Sequence, residues 1–250
     1  MSATPAWPPR SAPRLFVSTP LSEGSMVPLE GNQAHYLGKV MRLGADDAVM
    51  LCDNATGEWL ARVAQVGKRD LVLEVVHNTR AREHVPDMWL CPALLKKDRF
   101  DLVLEKATEL GVAEIHPMLT RRCVADKLNP ERARTIVTEA AEQCARTALP
   151  HLQEPVKLDA LLKNWPQDRV LFFADEMGGE SAAATFTACA GQPAALLVGP
   201  EGGFDDGERA AIRALPQARP ITLGPRILRG ETAAIAALSL WMGVAGDWSA

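Results

Sequence analysis

The sequence lacks what several protein classes require. Its five cysteines, Cys52, Cys91, Cys123, Cys144 and Cys189, are odd in number and form no Cys-x-x-Cys pair. A disulfide framework and a zinc-finger pattern are thereby excluded. The longest charge-free apolar stretch runs only from Thr232 to Gly246, short of the ~20 residues that cross a bilayer. No apolar segment opens the chain; Pro5, Pro8, Pro9 and Pro13 stand there instead, so residues 1–12 read as a flexible leader and not as a signal peptide. The expected location is cytoplasmic. A basic field is missing too, since the formal charge is −4. A polyanionic partner would have to be met by local basic clusters.

Motif absences narrow the field further. No Gly-x-x-x-x-Gly-Lys-[Ser/Thr] phosphate cradle and no Gly-x-Gly-x-x-Gly fingerprint occurs, which removes P-loop chemistry and weakens a dinucleotide-binding reading. There is no Gly-x-Ser-x-Gly elbow and no His-x-Glu paired with Cys-x-x-Cys, so hydrolase and zinc-deaminase readings have no support.

What is present divides near Pro86. Short apolar or alternating runs at Leu15–Val17, Ala48–Cys52, Trp59–Val66 and Leu71–Val76 are separated by turn residues and predict a small β-barrel. A helix over Asn32–Arg42 interrupts them, and Thr79–Pro86 reads as a linker. Beyond it, strands are predicted at Met88–Leu95, Val112–Leu119, Val170–Ala174, Ala194–Val198 and Pro220–Leu223. Between them lie helices: one capped by Asp98 and ending at Gly111, one starting at Asn129-Pro130, one over Asp206–Leu215 and one over Glu231–Ala245. Such alternation predicts an α/β domain around a mostly parallel sheet. His116, inside an apolar strand, reads as a core residue.

In an open α/β sheet ligands sit beyond the carboxyl ends of strands. Two loops stand there: Gly199-Pro200-Glu201-Gly202-Gly203-Phe204 and Leu223-Gly224-Pro225-Arg226-Ile227-Leu228-Arg229-Gly230-Glu231-Thr232. Glycine lets backbone approach a ligand closely and proline stiffens the turn, so the two loops together predict a preformed pocket wall.

These residues resemble the signature of the RsmE family, the 16S rRNA (uracil-N3)-methyltransferases of the SPOUT superfamily. Pro13–Val17, His35 with Val40-Met41-Arg42, Lys106–Val112 and Glu139–Arg146 follow in the family's order. Departures are Cys123 and Cys144 in place of serines, Asp205 in place of serine after Phe204, and Gly230 in place of alanine, the last expected to loosen the second loop. The resemblance implies an α/β protein with an N-terminal PUA-like β-barrel over 13–80 that binds RNA. A SPOUT-type methyltransferase domain with a C-terminal trefoil knot follows over 81–250. It also implies S-adenosyl-L-methionine as cofactor without a metal, a homodimer, and 16S rRNA within the 30S subunit as partner.

The resemblance, carried by Leu197 to Phe204 and by Leu223 to Ala233, implies the site residues. Leu197, Gly199, Pro200, Glu201, Gly202, Gly203, Leu223, Gly224, Ile227, Leu228, Arg229, Thr232 and Ala233 are the candidates for holding the cofactor. Deprotonated uracil spreads its charge over O2, N3 and O4, which a guanidinium can stabilise; Arg229 is the catalytic candidate, with Glu201 as base or sulfonium partner. The competing reading pairs Arg229 with Glu231 or Glu201. Candidates for gripping RNA are Arg14, Arg42, Lys96, Lys97, Arg99, Arg121, Arg122 and Arg146, although Arg146 is also spaced to pair with Glu142 on a helix surface. Ribose 2′-O-methylation of tRNA or rRNA, and RNA binding without catalysis, stay open as alternatives.

Overall fold

The computed structural model describes residues 12–249; of the expected leader, residues 1–11 lie outside them. The chain forms two compact units, one comprising residues up to His84 together with Ala141–Ala148, the other Val85–Ala140 and Leu149 onward.

In the first unit β1 (Arg14–Phe16), β2 (Met26–Leu29), β3 (Ala48–Cys52), β4 (Glu58–Val66) and β5 (Leu71–Arg80) form one sheet in the order β1-β3-β4-β5-β2. The β1 ladder is parallel to β3 and the others are antiparallel. Burial alternates along β2 and the first half of β5, as a sheet with one covered face requires. Leu15, Leu37, Val49, Leu51, Val63 and Leu73 make the core. The predicted helix over Asn32–Arg42 is a short α1 (Gly31–His35) continued by a π-turn over Tyr36–Val40. Strand β5 runs on through Arg80, into the segment expected to be linker, because Glu58 in β4 pairs with Arg80. The Glu58 carboxylate also accepts from Arg14 Nε at 2.7 Å.

The segment 141–148 completes this unit. Glu142 Oε1 accepts from the Phe16 amide at 2.8 Å, Arg80 donates to the Ala145 carbonyl, and the Glu83 carboxylate accepts from the amides of Thr147 and, at 3.0 Å, Ala148.

The second unit holds β6 (Met88–Pro92), α2 (Lys97–Glu109), β7 (Glu114–Ile115), β8 (Met118–Leu119), α3 (Pro130–Gln143), β9 (His151–Leu152), β10 (Val156–Lys157) and α4 (Leu158–Lys163). After these come β11 (Val170–Ala174), β12 (Glu180–Ser181), α5 (Ala182–Ala188), β13 (Ala194–Val198), α6 (Asp206–Arg213), β14 (Ala218–Thr222) and α7 (Gly230–Val244). Seven strands pair in the order β12-β14-β11-β13-β6-β7-β9, and every ladder among them is parallel. Their apolar runs follow from burial on both faces. Leu90, Phe172 and Leu196 lie in one core with residues of α2, α5 and α7, while Cys91, Leu171, Phe173 and Leu197 lie in another with residues of α4 and α6.

Three local expectations are corrected. The strand expected over Val112–Leu119 breaks into β7 and β8 around Pro117, which has no amide to donate to a ladder. Helix α2 begins one residue before Asp98 and its N-cap is Lys96, so Asp98 lies in the first turn and caps nothing. There its charge still suits the helix dipole. Helix α3 ends at Gln143 and Ala145 takes a left-handed φ of 61°, so the helix meant to carry a Glu142–Arg146 surface pair stops short of Arg146. His116 is stacked on Trp89 with centroids 4.3 Å apart, and burial lowers its pKa.

No helix among the described residues is long and apolar enough to cross a membrane. Cys52 and Cys91 are buried and Cys144 is exposed. Burial, helped by the nearby Glu58 charge, pushes the Cys52 thiol up to about 12, and burial raises Cys91 as well. Since the thiolate is the reactive form, iodoacetamide at pH 8 should alkylate Cys144 well before Cys52 or Cys91. Peptide mass spectrometry over a labelling time course checks this; equal rates would contradict the burial.

Candidate functional site

Strand order decides the site. The strands that precede the two glycine loops, β13 and β14, are not neighbours in the sheet; β11 lies between them. Three loops therefore converge at the carboxyl edge, the third being Asp175-Glu176-Met177 after β11. They enclose a cavity of about 150 Å³ whose lining includes Asp175, Glu176, Val198, Gly199, Gly203, Leu223, Arg226 and Leu228.

The first loop is folded back on itself. The Gly203 amide donates to the Pro200 carbonyl at 2.9 Å, and Gly203 has φ +66°, a region in which a side chain is strained. A Cβ on Gly199 would lie 2.8 Å from the ring of Phe204, which is buried edge-on against Phe173 at 5.3 Å. Asp205, where the family resemblance leads one to expect serine, caps α6. Its side chain accepts from the Glu208 amide at 2.7 Å while Glu208 Oε2 accepts from the Asp205 amide at 3.1 Å. This reciprocal box satisfies two amides of the first turn. The bond from the Glu208 amide, with Arg121 beside it, holds the Asp205 carboxyl below its ordinary pKa.

The second loop ends at α7, whose N-cap residue Arg229 makes no capping bond through its side chain. Gly230 does not loosen this end. It is buried, and a Cβ there would come within 3.1 Å of the Gly199 carbonyl and of a Leu95 methyl, so the glycine permits the two loops to touch.

Of the sequence-predicted cofactor residues, Gly199, Pro200, Gly203, Leu223, Gly224, Ile227, Leu228 and Ala233 line the cavity. Leu197 does not; it is fully buried inside the sheet. Glu201, Gly202 and Arg229 lie on the loops and Thr232 in the first turn of α7, none of them lining the cavity. Glu201 is turned toward α2, where Oε1 takes the Arg99 guanidinium at 3.3 Å and the Lys96 amide at 3.4 Å. Arg99 also reaches Glu231 Oε1 at 3.7 Å, so it, and not Arg229, is the cation that ties the loop carboxylates together. Arg229 and Arg226 are exposed, and among the described residues neither side chain has a hydrogen bond or ion pair. The competing reading, a pairing of Arg229 with Glu231 or Glu201, is not what the structure has; the guanidinium is free among the described residues.

The basic candidates separate in the same way. Arg121 pairs with Asp205 at 2.8 Å, and Arg122 donates to the Gly202 carbonyl at 3.0 Å; both brace the first loop. Lys96, Lys97 and Arg42 are exposed. Arg14 is held by Glu58. Arg146 is 4% exposed, which is at odds with phosphate contact, since that needs the guanidinium presented to solvent.

Sequence reasoning missed Asp175 and Glu176. The Asp175 side chain is fully buried, 0% exposed. It is gripped by Arg209 and by Arg213 at 2.5 and 3.0 Å. Both cations project from α6, four residues apart on one face. The available signal was two consecutive acids directly after a buried strand. Among the described residues no group of three or more His, Cys, Asp or Glu is placed to hold a metal ion.

The chain is similar to known RNA methyltransferases. Residues 82–242 match the RNA methyltransferase domain family and residues 29–76 the RNA methyltransferase PUA domain family. Ribosomal RNA small subunit methyltransferase E of Rickettsia conorii is 30% identical over 90% of this chain and 93% of its own. The Bacillus subtilis protein of the same name is 27% identical over 88% and 90%. A crystal structure of the Neisseria gonorrhoeae ribosomal RNA small subunit methyltransferase E, bound to S-adenosyl methionine, superposes with a TM-score of 0.84 at 28% identity, covering 95% of this chain and 99% of that one.

Proposed function

Because the chain belongs to the ribosomal RNA small subunit methyltransferase E family, we propose that it methylates N3 of a uridine in 16S rRNA, using S-adenosylmethionine bound in the cavity at the carboxyl edge of its sheet. The observation that carries this reading is the convergence of both glycine loops on that cavity. The residues fit such a ligand. Val198, Leu223, Leu228 and Ala233 offer apolar surface, while Gly199 and Gly203 stand where a Cβ would collide with Phe204 or Glu176. The uncapped first turn of α7 adds amides able to meet an anionic group.

When bound, S-adenosylmethionine supplies an electrophilic methyl group on a sulfonium. The protein's own work is to place the uracil and to make its N3 nucleophilic, because that N–H is not acidic at neutral pH. Positioning supplies part of the acceleration, ~7–11 kcal/mol in favourable intramolecular cases. Arg229, free of any partner among the described residues, stabilises the charge on O2 and O4 as the N3 proton passes to solvent water. Glu201, committed to Arg99 and to the Lys96 amide, is better suited to holding the first loop in place than to taking that proton.

The proposal extends to domain roles: residues 13–80 as a PUA-like barrel that holds RNA, residues 81–250 as the SPOUT methyltransferase domain with a trefoil knot, and a homodimer acting on the 30S subunit. Lys96, Lys97 and Arg42, exposed and cationic, supply phosphate contacts. Nucleoside mass spectrometry of 16S rRNA from cells with and without the gene tests the reaction. A 3-methyluridine should vanish with the gene; loss of a ribose-methylated nucleoside instead, or no change, would refute the reading.

A further inference from the structure

The loop after β11 puts into the cavity wall a carboxylate with a free oxygen, whereas Glu201 and Glu231 of the two glycine loops stand outside the lining. Glu176 lines the cavity. Its Oε1 accepts from Arg209 Nη2 at 3.2 Å, and Arg209 is itself fixed by Asp175. Among the described residues Oε2 has no partner. The carboxylate also sits against the first loop so closely that a Cβ on Gly203 would lie 2.4 Å from Oε1. Gly203 is therefore the residue that gives this carboxylate its place. Asp175 cannot serve a ligand in the same way, because Arg209, Arg213 and the Met177 amide occupy its oxygens.

We propose that Glu176 recognises the ribose of S-adenosylmethionine, its free oxygen accepting from the 2′- and 3′-hydroxyls. This rests on reading the cavity as the S-adenosylmethionine site. A carboxylate whose charge is already offset by a guanidinium gains less from pairing with a second cation than from accepting hydroxyl protons. Hydrogen bonds from O–H to an ionised acceptor are short and strong. Dinucleotide-binding folds use an acidic residue beyond a strand end on the same diol. The arrangement makes Glu176 a specificity-determining residue, one that selects a ribonucleoside over its deoxy counterpart.

Calorimetric titration of the full chain tests this with three probes: S-adenosylmethionine, its 2′-deoxy analogue, and 5′-methylthioadenosine, which keeps the ribose but has no ammonium, carboxylate or sulfonium. Glu176→Ala should weaken S-adenosylmethionine and 5′-methylthioadenosine by the same factor, about tenfold or more. The wild-type chain should bind the deoxy analogue more weakly, and the substitution should cost that analogue less. Glu176→Gln, which keeps the shape, should fall between. Loss for S-adenosylmethionine alone would mean that Glu176 holds the ammonium group and would overturn the proposal, as would no loss for either probe. Leu228→Trp, which fills the cavity, separates the two levels. If that variant still binds S-adenosylmethionine at full affinity, the cavity reading itself fails and Glu176 loses its role with it.

Discussion

Arg229→Ala should lower the rate of methyl transfer at least about tenfold, the lower edge of what removing one preorganised donor costs, while S-adenosylmethionine affinity stays within a few fold. The expectation follows from the guanidinium's surroundings. Arg229 is exposed at the start of α7, beside the cavity, with no carboxylate engaged among the described residues. A structural cation would have to be replaced by something when removed; this one leaves no partner stranded. Its cost should therefore fall on the step in which uracil becomes anionic, and single-turnover kinetics with saturating cofactor would isolate that step. Arg229→Lys should recover part of the rate, because it restores the charge without the planar pair of donors. Wild-type turnover in the alanine variant would remove Arg229 from the mechanism.

The second large effect concerns stability. Asp175→Ala should destabilise the second unit by about 3 kcal/mol, the low end for removing one partner of a buried ionic cluster. The low end applies because Arg213 is 44% exposed and can turn to water, whereas Arg209, at 15%, cannot. For a chain of this size that corresponds to a fall in melting temperature of roughly 6–12 °C, measurable by calorimetry. Because Arg209 also orients Glu176, cofactor affinity should fall with it. A melting temperature within a degree of wild type would show that the cluster adds nothing.

Local sequence was enough for much of the fold. The runs at Ala48–Cys52, Val170–Ala174 and Ala194–Val198 are strands with those limits, because a buried strand must be apolar throughout and turn residues mark its ends. The glycine loops were legible for a related reason, since close backbone approach demands glycine whatever the fold. Strand order was not legible. No residue between Val170 and Thr222 announces that β11 inserts between β13 and β14, so Asp175 and Glu176 could not be assigned to the cavity. Arg99 was misread for a similar reason: a cation after a strand looks the same whether it faces phosphate or a carboxylate 102 residues away in sequence. Arg146 looked like a surface residue while it was assumed to continue a helix that ends at Gln143.

The return of Ala141–Ala148 to the first unit has a consequence for biosynthesis. A nascent chain that has just released His84 holds all five strands of that unit, but not the carboxylate of Glu142 that receives the Phe16 amide, nor the amides at Thr147 and Ala148 that occupy Glu83. Those bonds can form only after the ribosome has made some sixty further residues, and closing that loop carries an entropic penalty that grows slowly with its length. The amino-terminal portion therefore receives its last hydrogen-bond partners from a segment encoded well downstream.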